Sequence, residues 1–525
     1  MKTRSIIFTM LCIFSVWTQA LPVQAETRST DVIIVGAGGA GMAAAYEAAS
    51  AGASVIVVDM ASAYGGTAAM SGGGCFAVGT PLQQQKGFED SPDLAFRDWI
   101  RWGQGEADEE WAQYYIEHSL HDLYEWLESL GIEWVSVSLN EGNSVPRWHR
   151  PNGFGKQLAL KLYEGARAKG VHNWLFNIQI ENILEKDGRI IGVAGTNHKT
   201  GEKFELYAKA VVMATGGFAG SHEEIKRYAP AMADYQFYVA GNKNCTGRGH
   251  RMVKQAGGYL THMENIWAYT YATPDYEDSK GERALVVRYM PRDNGIWVNA
   301  KGKRFHNEDL SGGASGTPAV MAQDPSFAWS VHDAEVVGSM FIVDPSYTAD
   351  FSRMHEKKLK LLKKSPFIKK ADSLKELAVR MGVDPDTLNE TVERYNAFVE
   401  KGEDSEFGKK VKGLKKIARP PYYAIQFFPA VRKTLGGVKT NIKCQVVNKG
   451  LVPIPGLYAA GELAGMAGGH IQGKACLEGT MLGPSIFSGR VAGAWAAYEA
   501  GKGKGFEGKA LTDNNSSQHK KVEKK

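Results

Sequence analysis

Apolar and polar positions alternate along this chain in blocks of recognisable length. Residues 32–35 form an unbroken apolar run of strand length, cut off at Gly36 and followed by an Ala-rich stretch of helical length reaching about Ser50. A second apolar run, 54–58, stops on Asp59. Two further runs of buried-strand type, 208–213 and 455–460, end on the glycine turns Ala214-Thr215-Gly216-Gly217 and Gly461-Glu462. From 351 to 415 the pattern changes to Lys-rich helical periodicity, seen in "SLKELAVRM" and "DTLNETVERYNAFV". Strand, turn, helix and strand in that order predict an α/β fold.

The first turn carries chemistry. Gly36, Gly38 and Gly41 have the spacing G-x-G-x-x-G, with Gly39 and Ala40 between them, directly after a strand and opening a helix. Such glycines give a tight turn and close approach of the backbone to a pyrophosphate, and the helix N-terminus faces the phosphates. Asp59, 18 residues after Gly41, falls where a carboxylate accepts ribose hydroxyls, with Met60 beside it. "YGGTAAMSGGG" then adds a second cradle of backbone donors: Gly66, Thr67, Ala68, Ser71, Gly72 and Gly73. With Ile180, the 214–217 turn and the Gly461-Glu462 turn, the glycine turns are spread along the chain. Spread-out turns suit a long, extended FAD better than a nicotinamide cofactor. The unit is therefore expected to be Rossmann-like and to bind FAD.

At the N-terminus, Lys2 and Arg4 precede an apolar run over 6–17, and "VQA" offers small residues at 23–25. That pattern predicts a cleaved signal peptide, 1–25, and an exported, periplasmic protein; the run is too short for a membrane anchor of about 20 residues. Without those 25 residues the net charge of +5 falls to +3, which gives no reason to expect nucleic acid as a partner. Cys75, Cys245, Cys444 and Cys476 form no C-x-x-C and no C-x-x-C-H, so no haem, iron–sulfur cluster or other metal site is expected. A disulfide between two of them is open, though scattered thiols in a large chain are more often buried packing residues.

From about Asp31 to Ala497 the chain resembles the fumarate reductase / succinate dehydrogenase flavoprotein superfamily. Beyond the glycine turns, "RWHRPNGFGKQLALKLYEGARAKG" is similar to its R-x-H-R-P segment and "GIWVNAKGKRFHNE" to its N-x-x-G-x-R-F-x-N-E turn. "NCTGRGHRMVKQAGG" is similar to its T-G-D-G turn, with Arg248 in place of the acid. "PPYYAIQFFPAVRKTLGGVKTN" is similar to the return from cap to FAD domain. The resemblance implies a discontinuous FAD-binding domain, 26–240 and 420–504, with an inserted α+β capping domain at 241–419 and a polar disordered tail at 505–525. It also implies that Gly483, Pro484, Ser485 and Ile486 belong to a turn and helix lying against the flavin.

The same comparison implies hydride exchange between flavin N5 and a carbon–carbon bond activated by an electron-withdrawing group. Here the chain departs from its relatives. The position of the superfamily's proton-donating Arg falls on Gly312, one clamp His position falls near Tyr269 and the other on Arg432. No Arg stands in the last motif, where His470 and Lys474 are offered instead. Fumarate is therefore not expected to be the substrate. "TMLGPS" is closer to the ketosteroid dehydrogenase branch, which uses Tyr for acid–base work. Tyr269 is accordingly the expected acid, eased in its ionisation by Arg432 or Lys474. Arg288 and Arg292 are candidate anion anchors, and Tyr271 is expected to face away. The functional expectation is an ene-reductase for a small molecule with an activated C=C bond, fed by a separate cytochrome c or quinol-linked partner. The alternatives are a ketosteroid-type C–C dehydrogenase and a non-catalytic FAD electron-transfer or assembly subunit.

Overall fold

A computed structural model describes residues 25–290, 293–348 and 351–511. The expected leader, Arg292 and most of the expected tail lie outside the described residues.

The long apolar runs become one eight-stranded sheet. Its spine runs Gln445–Val447, Pro453–Ala459, Lys203–Met213, Glu26–Val35, Val55–Asp59 and Asn173–Phe176. Glu26–Val35 pairs in parallel with both Val55–Asp59 and Lys203–Met213, and Lys203–Met213 pairs in parallel with Pro453–Ala459. Strands from both ends of the sequence therefore share one sheet. Ile33, Val35, Ile56 and Val58 are buried on one face, and Val32, Ile34, Val55 and Val57 on the other. Burial on both faces is why these strands read as continuous apolar runs and not as alternation.

The Ala-rich helix Gly39–Ser50 covers one face beside the helix Leu482–Glu499. Small side chains set their distance: a Cβ at Gly489 would overlap the backbone of Ala40, and one at Gly493 the backbone of Ala44. The glycine turn at 36–41 and the C-terminal helix are thereby locked together, although more than 400 residues separate them in sequence.

Smaller sheets, mostly antiparallel, accompany the eight-stranded sheet among the described residues. Ile296–Val298, Ala328–His332, Tyr422–Phe427 and Ile368–Ala371 form one of them. The helices Leu374–Met381 and Pro385–Lys401 pack Leu377, Leu388 and Val392 against it and turn their charges outward. Residues 505–511, expected in a free tail, dock instead. Phe506 packs edge-on to Phe487 at 5.6 Å, and the Leu511 N–H donates to the Glu117 carbonyl at 2.9 Å. Among the described residues no helix is long and apolar enough to cross a membrane, and no cluster of His, Cys, Asp and Glu is disposed to hold a metal. Cys75, Cys245, Cys444 and Cys476 are buried and unpaired, so no disulfide joins them.

Candidate active site

Where the glycine turns meet there is a cavity of about 950 Å³, running from the first turn to the smaller sheets. At its start Gly36 has φ +113°, and a Cβ there would overlap the Ala214 carbonyl, so no other residue fits this turn. Gly41 does a different job. It lies off the cavity with its Cα against the Gly36 carbonyl, and it permits the tight entry into the helix. Gly38, by contrast, has nothing within 4 Å of a built Cβ, so its missing side chain leaves open space in the cavity. The Gly65 N–H donates to the Ala37 carbonyl at 2.8 Å and ties the second cradle to the first.

Asp59 braces this end. Its two carboxylate oxygens accept the N–H groups of Ala37 at 2.6 Å and Ala61 at 2.7 Å, while burial still raises its pKa. Each oxygen keeps a lone pair that a ribose hydroxyl could use. The N-termini of Gly39–Ser50 and Leu482–Glu499 both reach the cavity, through Gly39 and Ala40 and through Leu482 and Ser485. Thr215 lines it with a buried, unpartnered hydroxyl. Met60, Gly66, Thr67, Ala68, Ser71, Gly72, Gly73, Ile180, Ala214, Gly216, Gly217, Gly461 and Glu462 also line it. Gly483, Pro484 and Ile486 do not: they turn into the protein, Gly483 against the Tyr115 hydroxyl. Of that quartet only Ser485 faces the cavity, because a helix presents one residue in three or four to any one side. Open space over Gly38, two helix N-termini and a braced acid fit an extended dinucleotide.

Beyond the cradles the cavity opens into a chamber of aromatic and ionisable groups. Trp267, Tyr269 and Tyr271 lie at alternate positions and all line it. The expectation that Tyr271 faces away is therefore wrong, because residues two apart in an extended segment share a face. The two tyrosine rings lie 5.0 Å apart. The Tyr269 hydroxyl donates to Glu478 Oε1 at 2.8 Å. Burial, and next the Glu478 carboxylate, push the Tyr269 pKa well above the usual phenol value; Arg432 opposes them and loses. Tyr271 is also raised by burial, with Arg288 pulling the other way from 3.8 Å above its ring.

Arg432 reaches the chamber through an irregularity of the strand ladder. Ala268 pairs with Val431 and Trp267 with Lys433, which leaves Arg432 as the extra residue of a bulge. A bulge re-aims its side chain, here toward the tyrosines. Lys474 has a different place. It is exposed, bonded to Glu106 at 2.7 Å and absent from the lining, so it cannot ease the ionisation of Tyr269. His470 stacks on His262 at 4.0 Å, also outside the lining.

The "RFHNE" turn owes its shape to burial. Arg304 donates to both oxygens of Glu308 at 2.8 Å, and Glu308 also accepts the Trp297 N–H. This pinned turn delivers Ser311 and Gly312 to the chamber. Sequence reasoning missed the acids Glu141, Asp309, Asp344 and Glu478 in the lining. Glu478, next to Cys476-Leu477 in a Gly-rich stretch, could have been noticed as a lone charge among apolar neighbours. Glu141, on the "LNEGNS" loop, carries no such signal.

An extended dinucleotide accounts for glycine turns at several points of one trough, and the ionisable chamber at its end marks a redox enzyme that works with such a cofactor. The chain belongs to the FAD binding domain family, whose model matches residues 31–480. It is an FAD-dependent oxidoreductase. Among curated relatives, a fumarate reductase (cytochrome) of Shewanella frigidimarina is 32% identical over 91% of this chain and 79% of its own length. A urocanate reductase of Eggerthella lenta is 30% identical over 90% and 75%, and a KsdD-like steroid dehydrogenase of Mycobacterium tuberculosis 29% over 90% and 97%. Among solved structures, an open conformation of a flavocytochrome c3 fumarate reductase superposes with a TM-score of 0.71 at 30% identity, covering 90% of this chain and 79% of that one. A 3-ketosteroid-Δ4-(5α)-dehydrogenase from Rhodococcus jostii gives 0.65 at 28%, covering 91% and 98%.

Proposed function

We propose that this protein exchanges a hydride equivalent between FAD and a carbon–carbon double bond conjugated to a carbonyl or carboxylate, and that its substrate is not fumarate. The carrying observation is the Tyr269 hydroxyl, bonded to Glu478 at 2.8 Å in the chamber that also holds Arg288 and Arg432, while Gly312 supplies no acid. The relatives support the bond class, since fumarate and urocanate both carry a C=C bond conjugated to a carboxylate.

Bound FAD, held non-covalently by the glycine cradles and Asp59, supplies the hydride equivalent. Arg432 and Arg288 hold the electron-withdrawing group through charge-assisted hydrogen bonds and favour the negative charge that develops there. Tyr269 keeps its proton at neutral pH because burial and Glu478 disfavour the phenolate; it would deliver that proton to the substrate carbon after the O–H rotates off Glu478, with Arg432 offsetting the charge left on the oxygen. Until then Glu478 accepts the phenol's hydrogen bond. Trp267 and Tyr271 wall the chamber and exclude water.

One observation favours the dehydrogenase direction as a second reading. Trp102, Trp148, Trp267, Leu139 and Phe341 give the lining an apolar, aromatic character that suits a bulky hydrocarbon such as a steroid. A cavity that continues from the cofactor cradles to ionisable groups speaks against a non-catalytic subunit. The apolar run over 6–17 supports export, and electrons would then come from a separate cytochrome c or quinol-linked donor.

The test is a screen of purified holoprotein. Reduced viologen is offered with enones, aryl acrylates and fumarate, and an oxidised dye with the saturated counterparts. Reduction of an enone or acrylate with little turnover of fumarate is expected. Rapid fumarate reduction would overturn the reading of Gly312.

A further inference from the structure

The chamber's charge pattern bears on the part of the substrate remote from the reacting bond. At its tyrosine end stand the cations Arg288 and Arg432. At the Gly312 end stands Glu141, a carboxylate with no hydrogen bond or ion pair to any described residue. A Cβ at Gly312 would overlap that carboxylate, so Glu141 occupies the space into which a side chain at 312 would grow. Between the ends lies Trp267, edge-on to Tyr269 at 6.2 Å and in contact with Gly313.

Glu141 is held in place. Arg101 donates to the Gly142 carbonyl at 2.8 Å, and Asp98 accepts the Ser144 N–H at 2.7 Å and its hydroxyl at 2.6 Å. Asp98 is itself paired with the fully buried Arg147 at 2.6 Å. The loop carrying Glu141 is therefore anchored at its base, with the acid at its tip facing Gly312.

We infer that Glu141 is a specificity-determining residue that reads the far end of the substrate. It selects an unsaturated carboxylate or ketone whose other end carries an N–H or O–H donor, and it rejects a second carboxylate. This rests on the reading of the site as a C=C oxidoreductase and adds the substrate class. The physical basis is an asymmetry: a donor meeting this carboxylate gains a charge-assisted hydrogen bond, whereas a second carboxylate placed there meets a like charge. A site built around an unpaired acceptor discriminates strongly against an analogue lacking the donor.

The experiment uses holoenzyme and four probes of similar reactivity: urocanate (ring N–H), p-hydroxycinnamate (O–H), cinnamate (no donor) and fumarate (second carboxylate). Viologen-driven turnover gives kcat/KM, and perturbation of the oxidised flavin spectrum gives Kd. The wild type is expected to prefer urocanate and p-hydroxycinnamate over cinnamate by about ten-fold or more, with fumarate last. Glu141→Ala should bring p-hydroxycinnamate and cinnamate within about three-fold of each other and improve fumarate by about ten-fold. An unchanged flavin absorbance and thermal unfolding midpoint in Glu141→Ala would show that fold and FAD survive. Glu141→Gln, which keeps an acceptor and loses the charge, should relieve the penalty on fumarate while retaining part of the preference for the donors. An unchanged ranking in Glu141→Ala, or a wild type that prefers cinnamate, overturns the assignment of Glu141 and leaves the C=C reading standing. If the wild type neither binds nor reduces any of the four, the C=C reading falls and this inference falls with it.

Discussion

Replacing Tyr269 by Phe removes one oxygen and leaves the ring in its place among Trp267 and Tyr271. The lost hydroxyl makes two contributions, and their sizes differ. Its hydrogen bond to the Glu478 carboxylate is worth about 1.5–3 kcal/mol to the fold, too little to unfold a chain with a core of this size or to release FAD. Its loss as a positioned acid should lower turnover by about 10² to 10⁴, equivalent to about 3–5 kcal/mol of barrier. The assay is anaerobic oxidation of reduced viologen by the best enone or acrylate, with flavin absorbance followed separately. Dye-driven flavin reduction and substrate Kd should stay within about three-fold of wild type. The pH dependence supplies a second check with a definite sign. Burial and Glu478 raise the Tyr269 pKa well above 10, so the acid form persists, and no loss of rate from its ionisation should occur below about pH 10. A Tyr269→Phe enzyme with near-normal turnover would refute the assignment. If Tyr271→Phe were then inactive, the proton would come from the neighbour that Arg288 covers.

Gly38→Val should yield colourless protein, because its side chain would project into the open trough where the pyrophosphate is expected; flavin absorbance after reconstitution checks this. Arg432→Ala should raise substrate Kd about ten-fold or more with FAD content unchanged, measured by titration of the flavin spectrum. Lys474→Ala should change turnover by less than about two-fold and stability by under about 1 kcal/mol, since it breaks only a solvent-exposed pair with Glu106. Gly493→Leu should cost about 3 kcal/mol or more, read by denaturant unfolding, because the helix Leu482–Glu499 has no room to move off the Ala44 backbone.

How far the sequence could be read depends on what kind of physics placed each residue. The start of the cofactor trough is local: Gly36, Gly38 and Asp59 sit on one strand–helix–strand unit, and each later turn carries its own short glycine motif. The substrate chamber is assembled from segments distant in sequence, and there the spacing argument loses its hold. Arg432 gets its direction from a bulge against Trp267 and Ala268, a ladder irregularity with no signature in "PAVRKT". Lys474 lies four residues before Glu478, yet only the second reaches the chamber, because the glycine-rich loop carrying both turns Lys474 outward to Glu106. Tyr271 was legible and misread, since alternation along an extended segment puts it on the same side as Tyr269. Glu141 was not legible at all: a polar loop residue becomes part of the site only because the Asp98–Arg147 network fixes its loop and Gly312 leaves space before it. Cofactor identity was therefore readable from motifs. The proposed substrate reading rests on Glu141, Glu478 and Arg432, whose places are set by the tertiary fold and not by a motif; relatives near 30% identity carry the names of different substrates.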